Sequence, residues 1–198
     1  MKKLDPEFYR ADALSVAQNL IGCFLVRECD AGRIIGRINE TEAYDGVVDK
    51  ACHAYGNKRT ARNEPLFRGG GIAHVYFIYG MYNCLNVVTG VEDCPEAVLL
   101  RGIEVVEGLE LAAGNRYGKS VGELTKQQMK NLSNGPGKLC RALAVDKAFD
   151  YESLQGDRLF ICEQIGKHAR ELQAIEASKR IGIDYAEEAV DFLWRFTG

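Results

Sequence analysis

The sequence predicts an α+β fold. It reads as one domain over residues 1–198, built on a mainly antiparallel, curved β-sheet with helices around it and one protruding β-hairpin. Three observations predict this. The run from Ala73 to Val88 is rich in aromatic and β-branched residues with Gly80 at its centre, the composition of two strands joined by a tight turn. Strand-like runs adjoin one another through turn residues, and the helix-periodic segments lie between and after them, not in strict alternation with them. Finally, 198 residues with 46% hydrophobic content supply one sizeable core.

Taken in order, Ala13, Leu14, Ala17, Leu20 and Ile21 recur at helical spacing after Asp12, a side chain suited to an N-cap. Cys23 to Val26 reads as a strand, Asp30-Ala31-Gly32 as a turn, and Arg33 to Tyr44 as a long strand ending in the polar run Asn39 to Tyr44. Residues 45–72 form an irregular polar excursion with a short helix after Thr60, and a loop of that length inside a compact domain is often functional. The hairpin follows. With Tyr79-Gly80-Met81 as its turn, Ile78 pairs with Tyr82, Tyr76 with Cys84 and His74 with Asn86. Tyr76, Cys84 and Asn86 then share one face, and Val75, Phe77, Leu85 and Val87 share the other as core. Tyr79 falls at the tip, where a large ring is hard to bury, and an aromatic there suggests a wedge above a pocket. Ala97 to Leu100 predicts a short buried strand ending at Arg101, and Glu107 to Ala113 and Glu123 to Leu132 predict helices. Gly135-Pro136-Gly137-Lys138 opens another helix. Arg158 to Cys162 and Ala174 to Ile183 predict strands, and Ala186 to Phe196 a helix or irregular tail.

Several function classes drop out. No run of about 18 apolar residues is present, so no membrane span or membrane partner is expected. Met1 to Pro6 lacks the apolar segment of a secretion signal. The seven cysteines form no Cys-x-x-Cys pair and the three histidines, His53, His74 and His168, are far apart, which argues against a disulfide scaffold, a zinc site or an iron–sulfur cluster. Gly137-Lys138 is not followed by Ser or Thr, so the helix opening is not a P-loop, though its free N–H groups suit a phosphate contact. A net charge of −3 argues mildly against nucleic acid, but Lys58, Arg59, Arg62 and Arg68 lie close together and Lys138 and Arg141 form a second group.

The chemistry on offer gathers at the end of the long strand. Glu40 and Glu42 alternate onto one face, where two close carboxylates can divide acid and base roles, and Tyr44 continues that face beside a loop carrying His53. A carboxylate among aromatic rings suits a flat, electron-poor ring held by stacking while water attacks beside it. Arg101, ending an apolar strand, needs an anionic partner.

Taken together, Glu40-Thr41-Glu42-Ala43-Tyr44, His53, Thr60-Ala61-Arg62-Asn63, the hairpin Val75-Tyr76-Phe77-Ile78-Tyr79-Gly80-Met81-Tyr82, Leu99-Leu100-Arg101 and Gly135-Pro136-Gly137-Lys138-Leu139-Cys140 resemble the alkyladenine (3-methyladenine) DNA glycosylase family over nearly the whole chain. The resemblance implies a monofunctional enzyme that flips alkylated or deaminated purines, such as 3-methyladenine, 7-methylguanine or hypoxanthine, out of duplex DNA and hydrolyses the N-glycosidic bond. It implies Glu42 as general base, with Arg101 and the backbone carbonyl of Ile181 holding the water. Tyr44 would stack on one face of the base, His53 and Tyr76 on the other. Asn86 would line the pocket and disfavour the exocyclic amine of guanine. Tyr79 would fill the gap in the duplex, and Arg62 and Lys138 would contact DNA. No cofactor, metal or obligate protein partner is implied beyond double-stranded DNA containing a damaged purine. The location would be the bacterial cytoplasm and nucleoid, or a nucleus. The acidic tail, with Asp184, Glu187, Glu188 and Asp191, predicts modest and salt-sensitive DNA affinity. A hydrolase of free nucleosides and a non-catalytic damage-recognition module are the competing readings. The first has no use for Tyr79 or basic groups, the second none for Glu42.

Overall fold

A computed structural model describes residues 1–78, 80–163 and 174–198. Asp12 caps the first helix, α1 (Ala13–Asn19), by accepting the Ser15 N–H. β1 (Phe24–Cys29) turns at Asp30 and Ala31 into the long β2 (Gly32–Asp45). After the irregular excursion, which carries a short 3-10 turn at Glu64–Phe67, come β3 (Ala73–Ile78) and β4 (Tyr82–Thr89). Then follow β5 (Glu96–Glu107), α2 (Leu109–Tyr117), α3 (Lys126–Lys130), α4 (Pro136–Ala142), β6 (Leu159–Cys162), β7 (Glu176–Ser178) and β8 (Arg195–Thr197). Among these residues the strands form one antiparallel sheet in the order β3-β4-β5-β2-β1-β6, and β8 joins β2 while pairing with β7.

The hairpin register is the expected one, with Ile78 opposite Tyr82, Tyr76 opposite Cys84 and His74 opposite Asn86. Gly80 takes a left-handed φ of 66°, a conformation that costs glycine little. Tyr79 lies outside the described residues. One face of the sheet carries Ile34, Ile38, Val75, Leu85, Val87, Val98 and Leu100 into a core shared with α1, α2 and α4. The opposite face is covered by the excursion, whose Cys52, Ala54, Leu66 and Phe67 pack on Val88 and Ala97. The site is built between that face and its cover.

Several expectations are corrected. The strand expected to stop at Leu100 runs from Glu96 to Glu107, so the helix expected from Glu107 starts at Leu109. The helix expected over Glu123 to Leu132 is a 3-10 turn at Val121–Glu123 followed by α3, because Thr125 starts a new N-cap with Gln128. The strand expected from Ala174 to Ile183 is three residues long, and of the two expectations for the tail, helix or irregular, it meets the second apart from a 3-10 turn at Glu187–Asp191 and the short β8. Phe77, assigned to the core face, is 52% exposed: it sits near the hairpin end, past the helices that cover Val75 and Leu85.

Candidate active site

A bulge shapes the centre of the site. Glu42 pairs with Leu99 and Thr41 with Leu100, but Glu40 pairs with Gly102, leaving Arg101 as the extra residue on β5. Bulges re-aim side chains, and Arg101 here spans both carboxylates: its Nε donates to Glu40 Oε1 at 2.8 Å and its Nη1 to Glu42 Oε2 at 3.2 Å. Glu40 also accepts from Arg195 Nε at 2.7 Å. Burial works to raise the Glu40 pKa, but the hydrogen bonds from Arg195 and Arg101 outweigh it and the carboxyl is held below its ordinary value. Burial likewise opposes the Arg101 charge, and Glu42 and Glu40 more than offset it.

Glu42 is fully buried. Its Oε1 accepts the Ile181 N–H at 2.8 Å, and its Oε2 accepts the Tyr44 hydroxyl at 2.8 Å as well as Arg101. Two donors thus occupy Oε2, while Oε1 keeps a lone pair on the Ile181 side. Burial first, then the Glu42 charge, pushes the Tyr44 phenol well above its usual range, so it stays a donor.

Six of the sequence-predicted residues, Tyr44, His53, Arg62, Tyr76, Arg101 and Ile181, line one cleft of about 560 Å³ with Cys84, Leu99 and Tyr185 among the others, and the fully buried Glu42 lies behind its wall, bonded to Tyr44, Arg101 and Ile181. Asn86 lines a smaller hollow of about 30 Å³ that shares Tyr44, His53 and Tyr76 with the cleft. The rings of His53 and Tyr76 meet edge to face, with centroids 4.8 Å apart at 78°. Tyr76 lies nearly parallel to His74, centroids 5.5 Å apart at 27°. His53 is held from behind by Asn63, whose Nδ2 donates to the His53 carbonyl at 2.9 Å and to the Lys58 carbonyl at 2.8 Å.

Lys138 lies across the hairpin end from Arg62, on a hollow of about 310 Å³ with Ile78, Tyr82, Pro136 and Gly137. A Cβ on Gly137 would stand 2.9 Å from the Tyr82 ring, so glycine is what lets α4 approach the hairpin this closely. Of the first basic group, Arg59 is tied to Glu64 and Asp93, and Arg68 reaches Glu64 at 3.4 Å. The larger hollow of about 780 Å³ opens on the other side of Glu40, toward Ser133 and Thr197, and none of Glu42, Tyr44 or Tyr76 faces it.

Sequence reasoning missed Arg180. Its side chain and that of Asp49 are fully buried, and Nη1 and Nη2 donate to Asp49 at 2.5 and 2.7 Å and to the Ala43 and Ala189 carbonyls at 2.9 and 3.2 Å. Its guanidinium lies over Tyr44, 4.7 Å from the ring centroid, and 5.2 Å from that of Trp194. It therefore fixes a ring of the cleft and, through the next residue, the Ile181 amide on Glu42. The neighbouring Lys179 pairs at the surface with Asp191, and no local pattern separates these two cations.

Both described histidines of the site are pushed toward the neutral form. Burial lowers His53 first, then Arg62; burial lowers His74 against the raising pull of Asp150. Between the ordinary histidine value of 6.5 and these lower folded values, the unfolded chain binds more protons than the folded one. Their contribution to stability is therefore complete above that value and falls as pH drops below it. Denaturant unfolding at pH 7.5 and pH 5.5 is expected to show this loss, smaller in His53→Gln; an equal loss in both proteins would remove His53 from it.

Among the described residues no group of three His, Cys, Asp or Glu is placed to hold a metal ion, and no helix is long and apolar enough to cross a membrane. Comparison with known proteins gives a coherent answer. The sequence profile described as Methylpurine-DNA glycosylase (MPG) matches residues 7–198. A provisionally named 3-methyladenine DNA glycosylase of Clostridium novyi is 49% identical, over 99% of this chain and 94% of that one. Proteins given the same provisional name in Desulfitobacterium hafniense and Clostridioides difficile are 50% and 46% identical, over 99% and 98% of this chain and 95% and 98% of theirs. A cleft with a buried, donor-held carboxylate among aromatic rings is what such chemistry needs, and the chain belongs to the methylpurine-DNA glycosylase family of DNA glycosylases.

Proposed function

We propose that this enzyme releases alkylated or deaminated purines, 3-methyladenine and 7-methylguanine with hypoxanthine beside them, from double-stranded DNA by monofunctional hydrolysis at Glu42. The observation that carries the reading is the pattern of donors on Glu42. Arg101 and Tyr44 occupy Oε2 and the Ile181 amide occupies one position on Oε1, and these three donors themselves line the cleft, which supports a water held at the remaining Oε1 position. The water oxygen bonds to the anomeric carbon while Glu42 takes its proton. The bond from that carbon to the base nitrogen breaks, and its electron pair leaves with the base. A purine methylated at N3 or N7 starts as a cation and departs neutral, so it needs little acid assistance. The fixed negative charge of Glu42 stabilises the positive charge that builds on the sugar.

A base inside a duplex is out of reach and must be flipped into the cleft at a cost of a few kcal/mol. Tyr44, Tyr76 and His53, gathered in one lining, suit a cationic purine, and because the His53 and Tyr76 rings stand at 78° to each other only one of the two can lie flat on it. Asn86 on the floor suits discrimination against the guanine 2-amino group. Arg62 and Lys138 flank the hairpin end and suit phosphate contacts, Lys138 already reaching Asn131 at 2.7 Å. Phe77 and Met81, 52% and 61% exposed, leave apolar side chains at the surface of the hairpin end, which suits the proposed wedge role of Tyr79. The enzyme needs no partner beyond damaged DNA, and in a bacterial cell its place is the nucleoid.

The experiment compares base release from methylated duplex DNA with release from the free methylated nucleosides. Release from the duplex alone is expected; equal release from the nucleosides would favour a nucleoside hydrolase. Tyr79→Ala is expected to lower the flipped population and excision at low enzyme concentration, because base–aromatic stacking contributes roughly 1–3 kcal/mol. Unfolding temperature should hardly move. A reporter base that flips as well in Tyr79→Ala as in the wild type would remove the wedge from the mechanism.

A further inference from the structure

The sheet register places Glu42, Leu99, Asn86 and His74 in one row across β2, β5, β4 and β3, on the face that forms the cleft. Strands in a sheet lie about 4.8 Å apart, so the backbones at the two ends of this row are roughly 14 Å apart. A purine whose sugar carbon meets the water at Glu42 extends its far edge, N1 and the substituent on C6, toward the other end. His74 stands there. It is 1% exposed and lines the small hollow of about 30 Å³ that continues the cleft, a volume that takes one amino group or oxygen and not a ring.

The chemistry of His74 is set by what holds it. Its Nδ1 meets Asp150 Oδ1 at 2.9 Å, and Asp150 also accepts the Val75 N–H at 2.9 Å and the Lys147 ammonium at 2.5 Å. A carboxylate holding three donors can only accept, so Nδ1 carries the proton. In the neutral ring, Nε2 is then a bare acceptor. Burial keeps the ring neutral, against the pull of Asp150. Nε2 is buried and meets no protein partner among the described residues. A buried acceptor left unsatisfied is costly, which makes it a reader of whatever donor enters the hollow.

We propose that His74 determines specificity within the base pocket: its Nε2 accepts a hydrogen bond from the 6-amino group of an alkylated adenine and disfavours the 6-oxygen of an alkylated guanine. Asp150 positions the ring and fixes its tautomer. The inference rests on the reading of the cleft as a base pocket given above.

Methylated duplex DNA carries both 3-methyladenine and 7-methylguanine. Both are cationic leaving groups; they differ at position 6, in the 2-amino group and in the methylated nitrogen, and a change at His74 alters only the reading of the first. Their release is followed by chromatography from one digest, so the ratio of the two single-turnover rates does not depend on the fraction of enzyme folded. His74→Phe, which keeps a ring and removes the nitrogens, is expected to lower the 3-methyladenine to 7-methylguanine ratio about 10-fold. His74→Gln, which keeps an acceptor oxygen, is expected to hold the ratio within about threefold of the wild type. If the wild type leaves 7-methylguanine in place, inhibition of release by free 3-methyladenine and free 7-methylguanine reads the discrimination at the level of binding, and the same shifts are expected in the ratio of their inhibition constants. A ratio unchanged in His74→Phe, with wild-type release intact and abolished in Glu42→Gln, overturns the role of His74 and leaves the pocket standing. A wild type that releases neither base overturns both.

Discussion

Glu42→Gln is expected to leave the protein folded and able to bind lesion-containing duplex, while base release falls by about 10²–10⁴-fold or more. The substitution keeps shape and removes both the charge and the basic oxygen. It also sets a donor among donors. With the amide oxygen toward Arg101 and Tyr44, the NH₂ faces the Ile181 N–H, so one buried bond is lost at a cost of about 1–3 kcal/mol. Glu40→Gln removes a partner of Arg101 and Arg195 without touching the proposed water position, and its effect on release is expected to be smaller. Single-turnover release read beside thermal unfolding separates chemistry from folding. Near-normal release by folded Glu42→Gln would end the assignment of Glu42 as general base.

Arg180→Met is expected to be the most destabilising single change near the cleft. Removing one partner of a buried pair leaves an uncompensated charge, here Asp49, and typically costs about 3–5 kcal/mol. In a chain of this size that is a drop of roughly 10 °C in unfolding temperature. The loss reaches the chemistry too, since Arg180 supports the Tyr44 ring and precedes the Ile181 amide that holds Glu42. The double variant Arg180→Met with Asp49→Leu removes both charges and is expected to recover much of the stability. Base release should stay low, because the guanidinium over Tyr44 is still missing. Release that recovers along with stability would reduce Arg180 to a purely structural residue.

What was legible in the sequence was local. The hairpin register followed from a central glycine and alternation, and the Asp12 cap from one side chain and the periodicity behind it. Glu42, Tyr44 and Tyr76 stood out because carboxylate and aromatic residues recur at strand spacing, and the cleft brings them together. What was hidden depends on distant partners. β5 continues past the bulge at Arg101 because β2 runs on beside it, with Glu104 opposite Arg37 and in contact at 2.7 Å, although the run reads as a strand end. β8 is too short to announce itself and exists because β2 offers it an edge at Glu40, Thr41 and Glu42. Arg180 finds Asp49 across 131 positions, and neither carries a local sign of burial. Phe77 alternates correctly but outruns the cover that would bury it.

The pairing of β8 with β2 also has a consequence in time. Tyr44, Leu99 and Arg101, which bond or pair with Glu42, are in place by residue 101, but the Ile181 amide comes from residue 181 and the strand that flanks Glu42 from residues 195–197. On a ribosome, those residues are made long after the carboxylate they complete, and until they dock, Glu42 lies at an open sheet edge with only part of its donor set. A chain still being synthesised, or one cut short before residue 180, therefore lacks the Ile181 donor and the β8 flank of Glu42 even when the hairpin and its rings have folded. On the reading of Glu42 as general base, competence waits for residues 181 and 195–197 to dock.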